Sequence, residues 1–132
     1  MKVVGRILGY LSILVHLGLG LFLLGIGWIG SGVSDEMHID LIPVAPESMA
    51  TTLIVCGILA VLSALLAVRQ GKIARLPLVL WSLAVCAVFV GAFTRSSYRF
   101  DGEEHMRLIV WLLLGSLLLA AGSISRSRAG GR

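Results

Sequence analysis

Long uncharged runs alternate with short charged segments along the 132 residues of this chain. The uncharged runs cover residues 7–29, 49–68, 76–93 and 108–124, and each approaches the roughly 20 apolar residues that cross a bilayer as a helix. Backbone inside lipid has to satisfy its own hydrogen bonds, so each run is predicted to be helical. The pattern predicts an all-α membrane protein: one domain over 1–132, an antiparallel up-down bundle of four transmembrane helices with short loops.

Residues at the ends of the runs indicate where the helices begin. Pro77, at the start of the third run, is typical of a first helical turn. Acidic residues stabilise the N-terminal end of a helix, so Glu47 and the pair Glu103–Glu104 are expected near helix starts. The first run is longer than the about 7–15 apolar residues of a signal-peptide core. We therefore expect it to be a retained membrane span.

The composition excludes a separate soluble domain. Apolar residues make up 58% of the chain and charged residues only 14%, whereas a soluble domain carries about 25% charged residues. The sequence shows no nucleophile–base constellation, no phosphate-binding loop and no paired carboxylates within a span. We expect no enzymatic activity and infer no soluble substrate.

Basic and acidic residues are separated along the chain. The ends of the spans on one side carry eight basic and no acidic residues: Lys2, Arg6, Arg69, Lys72, Arg75, Arg126, Arg128 and Arg132. The loops at 30–48 and 94–107 hold all seven acidic residues and only three basic ones, Arg95, Arg99 and Arg107. The positive-inside rule then predicts an integral protein of the bacterial cytoplasmic membrane, with both termini cytoplasmic and the acidic loops outside. The net charge of +4 accordingly predicts attraction to the lipid bilayer, not nucleic-acid binding.

Small residues follow two faces of the first span. One face carries a residue at every third or fourth position: Gly5, Gly9, Ser12, His16 and Gly20. Nearly opposite, a second row recurs every seven residues: Gly18, Gly25 and Gly32. Small residues let helices approach closely in lipid, so we expect helix packing at Gly5, Gly9, Gly18, Gly20 and Gly25. The neighbours are either other helices of this chain or another membrane subunit.

His16 lies near the middle of the first span, and an ionisable residue at that depth indicates a functional site. Three interpretations stay open. His16 forms a buried hydrogen bond across a helix pair; it is an axial ligand of a haem or chlorophyll-type pigment, with Ser12 leaving room for the flat ring; or it contacts a proton or quinone in a larger complex. We also expect Ser63, Ser82 and Ser116 at similar depth, in one polar layer.

The two acidic loops contain residue types that bind divalent metal ions. Glu36, His38 and Asp40 alternate with apolar residues, which in an extended segment would place all three on one face. His105 lies in the other acidic loop. A metal site built from Glu36, His38, Asp40 and His105 is one interpretation, and a solvated acidic cap is the other.

The preferred functional hypothesis is an accessory or structural subunit of a larger bacterial-type membrane protein complex, respiratory or photosynthetic. Helix packing and contacts with lipid, quinone or pigment would be its contribution. One alternative is a small membrane protein that binds haem or chlorophyll through His16. Another is a small homo-oligomeric transporter, which is disfavoured because the spans lack charges to bind and couple a solute.

Overall fold

Four helices make up the protein, and the computed structural model describes residues 2–33, 38–69, 72–96 and 98–129. The helices are α1 (Lys2–Ser31), α2 (Pro46–Val68), α3 (Lys72–Thr94) and α4 (Gly102–Ala129). All four are long and apolar enough to cross a membrane, and the described residues contain no strand. The predicted all-α bundle of four membrane helices is confirmed, and each predicted span falls within one helix.

The acidic residues lie at helix starts as predicted, but the proline does not. Glu47 is in the first turn of α2, and Glu103 and Glu104 are in the first turn of α4. The prediction for Pro77 is wrong, because α3 begins at Lys72 and Pro77 lies inside it, in the second turn. A proline removes one backbone hydrogen bond. Because Pro77 lies so close to the start of α3, the loss of that bond does not prevent the helix from beginning at Lys72.

The helices form a closed ring in which each packs against the next along the chain and α4 packs against α1. The start of α1, the end of α2, the start of α3 and the end of α4 lie at one end of this ring. We call it the basic end, because its charged residues at 2–6, 69–75 and 126–128 are all basic. The opposite end carries the described residues 32–33, 38–45, 95–96 and 98–101 and is called the acidic end.

Small residues fill much of the interior, and large apolar side chains face outwards. Ala60, Ala64 and Ala67 of α2 are almost completely buried. Leucines, valines and isoleucines from every helix are exposed on the outside. Because lipid supplies no hydrophobic drive between helices, close fit of small residues is what holds such a bundle together.

The register between α1 and α2 leaves the start of α1 beyond the end of α2. A Cβ atom added at Gly27 would lie 2.9 Å from the Ile54 backbone nitrogen, and one at Gly20 would lie 2.9 Å from that of Val61. The two pairs are seven residues apart on each helix. One further step of seven brings Ile13 opposite residue 68, where α2 ends. Residues 2–12 of α1 therefore extend past α2 at the basic end.

At the acidic end, Arg95 joins the two loops. Its Nη2 donates a hydrogen bond to the carbonyl oxygen of Leu41, and its Nε donates to that of Gly91 at 3.2 Å. Two rings of the same connection cluster with one from each adjoining helix, with centroids 5.2 to 6.1 Å apart: Tyr98 and Phe100 of the connection, Phe93 of α3 and His105 of α4. The connection between α3 and α4 is thus packed on itself and tied to the first loop.

Candidate functional site

His16 is buried in the bundle, with only 2% of its surface exposed. Its Nδ1 lies 2.7 Å from the carbonyl oxygen of Ser12, one turn earlier on α1. Because a carbonyl oxygen only accepts, Nδ1 carries the hydrogen and Nε2 carries the lone pair of a neutral ring. The Oγ of Ser12 is 3.4 Å from the same nitrogen. The described hydrogen bonds of His16 thus stay within α1, instead of crossing to another helix as predicted.

Neighbouring helices occupy the face of α1 that carries His16. A Cβ atom added at Gly9 would lie 2.9 Å from the Cβ of Arg126 on α4, and one at Gly20 would meet α2. Ser12, between them, is completely buried. A tetrapyrrole beside His16 would have to displace one of these helices, so the packing does not fit an axial ligand, although Nε2 has a lone pair. Contact with a proton or quinone stays a prediction.

The serines expected near His16 are buried, and the described hydrogen bonds of Ser82 and Ser116 go to other partners than His16. Ser63, Ser82 and Ser116 are each at most 7% exposed. Ser82 Oγ lies 3.0 Å from Ser123 Oγ and so links α3 to α4, while Ser116 Oγ donates to the Leu113 carbonyl of its own helix at 2.8 Å. Among the described residues, the expected polar layer consists of separate local hydrogen bonds and not of a network around His16.

The five glycines predicted to pack divide into two groups. Gly5, Gly9 and Gly20 lie against α4 or α2, so that an added Cβ atom would meet a neighbour within 3.3 Å. Gly18 and Gly25 are exposed, and an added Cβ atom there would meet nothing within 4 Å. No described helix of this chain covers the second row, so packing at Gly18 and Gly25 stays a prediction that requires another chain.

The described members of the predicted metal set do not converge. His38 Nε2 contacts Asp40 Oδ1 at 2.7 Å, and the chain turns at Ile39–Ile42 instead of extending. His105 accepts the Asp101 N–H at Nδ1 and contacts the Tyr98 hydroxyl through Nε2, so both ring nitrogens are engaged. Within the described ranges, no group of three or more histidine, cysteine or acidic residues can hold a metal ion. Glu36 lies outside the described residues.

Two arginines at the basic end form an arrangement that the sequence analysis missed. The Nη1 of Arg75 donates to the backbone carbonyl oxygen of Arg126 at 2.9 Å. The guanidinium of Arg126 lies over the Tyr10 ring, 4.2 Å from its centroid. In the sequence, both arginines indicate only the topology. A usable signal was the spacing of Arg126 from Gly122, because positions four apart share a helix face and Gly122 packs against Leu8 of α1.

No protein-family model, curated protein or solved structure matches this chain.

Proposed function

We propose that this chain is an accessory structural subunit of a larger membrane protein complex, which it joins through the outward face of α1. The observation that carries the proposal is the open space above Gly18 and Gly25. At Gly20 and Gly27 of the same helix, α2 approaches so closely that an added Cβ atom would lie within 3 Å of it. The outward row offers a second helix the same kind of close approach.

The residues around these two glycines support a helix-packing surface. Leu14, Leu21 and Ile29 are each more than half exposed, and their spacing places them on the same face of α1. Two glycines seven residues apart between such side chains form a notch with apolar walls. The ridge of a second membrane helix fits a notch of this shape.

Gentle purification of the tagged chain from its native membrane tests this proposal. We expect other membrane subunits to co-purify with the wild-type chain, and to be lost when Gly18→Leu and Gly25→Leu fill the notch. Gly115→Leu is the matched control, because Gly115 of α4 also has nothing within 4 Å of an added Cβ atom. Migration of the wild-type chain alone, or only as a homo-oligomer, would contradict an accessory role.

The alternative functions have less support from the geometry. A homo-oligomeric transporter requires groups that bind and couple a solute, whereas charged side chains are absent from residues 7–29, 49–68, 76–93 and 108–124. Pigment or haem binding through His16 conflicts with the packing around that ring. The co-purification experiment distinguishes the homo-oligomeric transporter from the accessory subunit, because a transporter of this kind assembles only with itself.

The proposed orientation places the basic end in the cytoplasm of a bacterial cell. Its support is the charge distribution along the chain, with eight basic and no acidic residues on one side of the spans and seven acidic but only three basic residues on the other, together with the positive-inside rule. Labelling with a membrane-impermeant maleimide tests this orientation. Single cysteines are introduced at positions 104 and 128 in a variant in which Cys56 and Cys86 have been replaced. We expect labelling of intact cells at position 104 only. Labelling at position 128 only would reverse the orientation.

A further inference from the structure

We propose that the basic end of the bundle binds an anionic phospholipid. Its phosphate is held by Arg126, and one acyl chain lies in a groove along α1. The groove meets the outward glycine face at Leu14, which belongs to both, but the lipid site does not depend on the accessory role.

The side chain of Arg126 is held in one place by α1. Its stem crosses Gly9, where an added Cβ atom would lie 2.9 Å from the arginine Cβ and 3.1 Å from its Cδ. Its guanidinium then stacks on Tyr10, which is a favourable arrangement for a cation and an aromatic ring. Gly9 is therefore the position that lets the arginine pass between α4 and α1.

The positive charge at this position has no anionic partner among the described residues. The Nε atoms of Arg126 and Arg75 are both buried without a hydrogen-bond partner among the described residues. The acidic residues that the structure describes lie at the opposite end of the bundle: Asp40, Glu47, Asp101, Glu103 and Glu104. Removing a cation from water is costly unless an anion pairs with it, and a guanidinium matches the oxygens of a phosphate in geometry and charge.

An apolar groove begins at the same tyrosine. It has a volume of about 550 Å³ and is lined by Ile7, Tyr10, Leu11, Ile13, Leu14 and Leu17. These residues extend over about 15 Å of helix, from the basic end towards the middle of the bundle. Because residues 2–12 of α1 extend past the end of α2, α2 does not cover the start of this groove.

The contiguity of the two features identifies the ligand as a lipid. Tyr10 lies under the guanidinium and also lines the groove, so a headgroup and a chain attached to it would meet both surfaces at once. A free phosphate would occupy only the charged part. Basic pockets between membrane helices on the cytoplasmic side are a known type of site for anionic lipid headgroups.

Native mass spectrometry of the delipidated full-length protein in detergent tests the proposal. The protein is titrated separately with phosphatidylglycerol, phosphatidylcholine and inorganic phosphate, and its Tm is measured in parallel. We expect one phosphatidylglycerol to bind at least tenfold more tightly than phosphatidylcholine and to raise the Tm. Inorganic phosphate at the same concentration should leave the Tm unchanged.

Three variants locate the site. Arg126→Gln should weaken phosphatidylglycerol binding at least tenfold, while Arg128→Gln, an exposed arginine of the same helix turn, should leave binding unchanged. Leu14→Trp keeps every charge and enlarges an exposed wall of the groove, so it tests the chain-binding part even if Arg126→Gln fails to fold. It should also weaken binding. Equal binding of both lipids, equal effects of the two arginine variants, or an unchanged affinity in Leu14→Trp would overturn the proposal. A Tm increase with inorganic phosphate alone would assign the site to a free anion.

Discussion

At single positions, the difference between glycine and any other residue decides how closely two helices approach. A Cβ atom added at Gly57 would lie 2.8 Å from the Gly20 carbonyl oxygen and 2.8 Å from the Leu24 nitrogen. Both are backbone atoms, which move only if the whole helix moves. Gly20 is in the same situation, since a Cβ atom added there would lie 2.9 Å from the Val61 nitrogen, whereas one added at Gly18 would meet open space. Two glycines of one helix, two residues apart in sequence, therefore have opposite structural roles.

Alanine substitutions at these two positions should have different effects. We expect Gly20→Ala to lower the free energy of unfolding by about 1–3 kcal/mol, the usual cost of overpacking, because its Cβ would meet Val61 at 2.8 Å. Gly18→Ala should leave stability unchanged or raise it by up to about 1 kcal/mol, since alanine is the better helix former. Unfolding in mixed detergent micelles measures both. An equal loss of stability in the two variants would contradict the α1–α2 packing.

At the scale of the elements, the interfaces of the ring use different chemistry. The α1–α2 interface is built from glycines that bring the backbones together. The α3–α4 interface contains the side-chain hydrogen bond between Ser82 and Ser123 and the bond from Arg75 to the backbone of α4. Close packing is sensitive to added volume, whereas a hydrogen bond is sensitive to loss of either partner. The two interfaces therefore respond to different substitutions.

A double-mutant cycle on Ser82 and Ser123 measures the polar contribution to the α3–α4 interface. We expect a coupling of about 0.6 kcal/mol between Ser82→Ala and Ser123→Ala, the typical value for a side-chain hydrogen bond between membrane helices. The matched control pairs Ser82→Ala with Ser116→Ala, because the described hydrogen bond of Ser116 stays within α4 and does not reach Ser82. Its coupling should be close to zero, within the additivity error of about 0.3 kcal/mol. Similar coupling in both cycles would contradict a direct bond between Ser82 and Ser123.

For the whole molecule, the number and order of helices could be predicted, but not their rotation within the ring. Lipid imposes a strict length and polarity on a spanning helix, so the uncharged runs located all four. The rotation of a helix about its own axis depends on which of its two similar surfaces packs against a neighbouring helix. Gly20 and Gly18 belong to rows of the same residue type, and the pattern does not distinguish them. The course of Arg126 over Gly9 likewise depends on how α4 is turned towards α1.

The closed ring predicts that the bundle reassembles from two halves. Each half, residues 1–69 and 72–132, contains one helix pair, and the interfaces α1–α4 and α2–α3 join the pairs. We expect the co-expressed halves to co-purify through a tag on one of them. Gly122→Leu should reduce this, because a Cβ atom there would lie 2.6 Å from the Leu8 carbonyl oxygen. Gly115→Leu should not reduce it. Failure of the wild-type halves to associate would contradict the ring.

The unequal helices have a consequence for the membrane around the protein. The uncharged part of α1, from residue 7 to residue 31, is about 37 Å long, whereas that of α3, from 76 to 94, is about 28 Å long. One bundle thus presents two hydrophobic thicknesses, one above and one below the about 30 Å of a typical hydrocarbon core. Lipid beside α3 has to thin, or α1 has to tilt. Without tilt, the bilayer is deformed unevenly around the protein's circumference, and a neighbouring protein of matching thickness would relieve that deformation on one side.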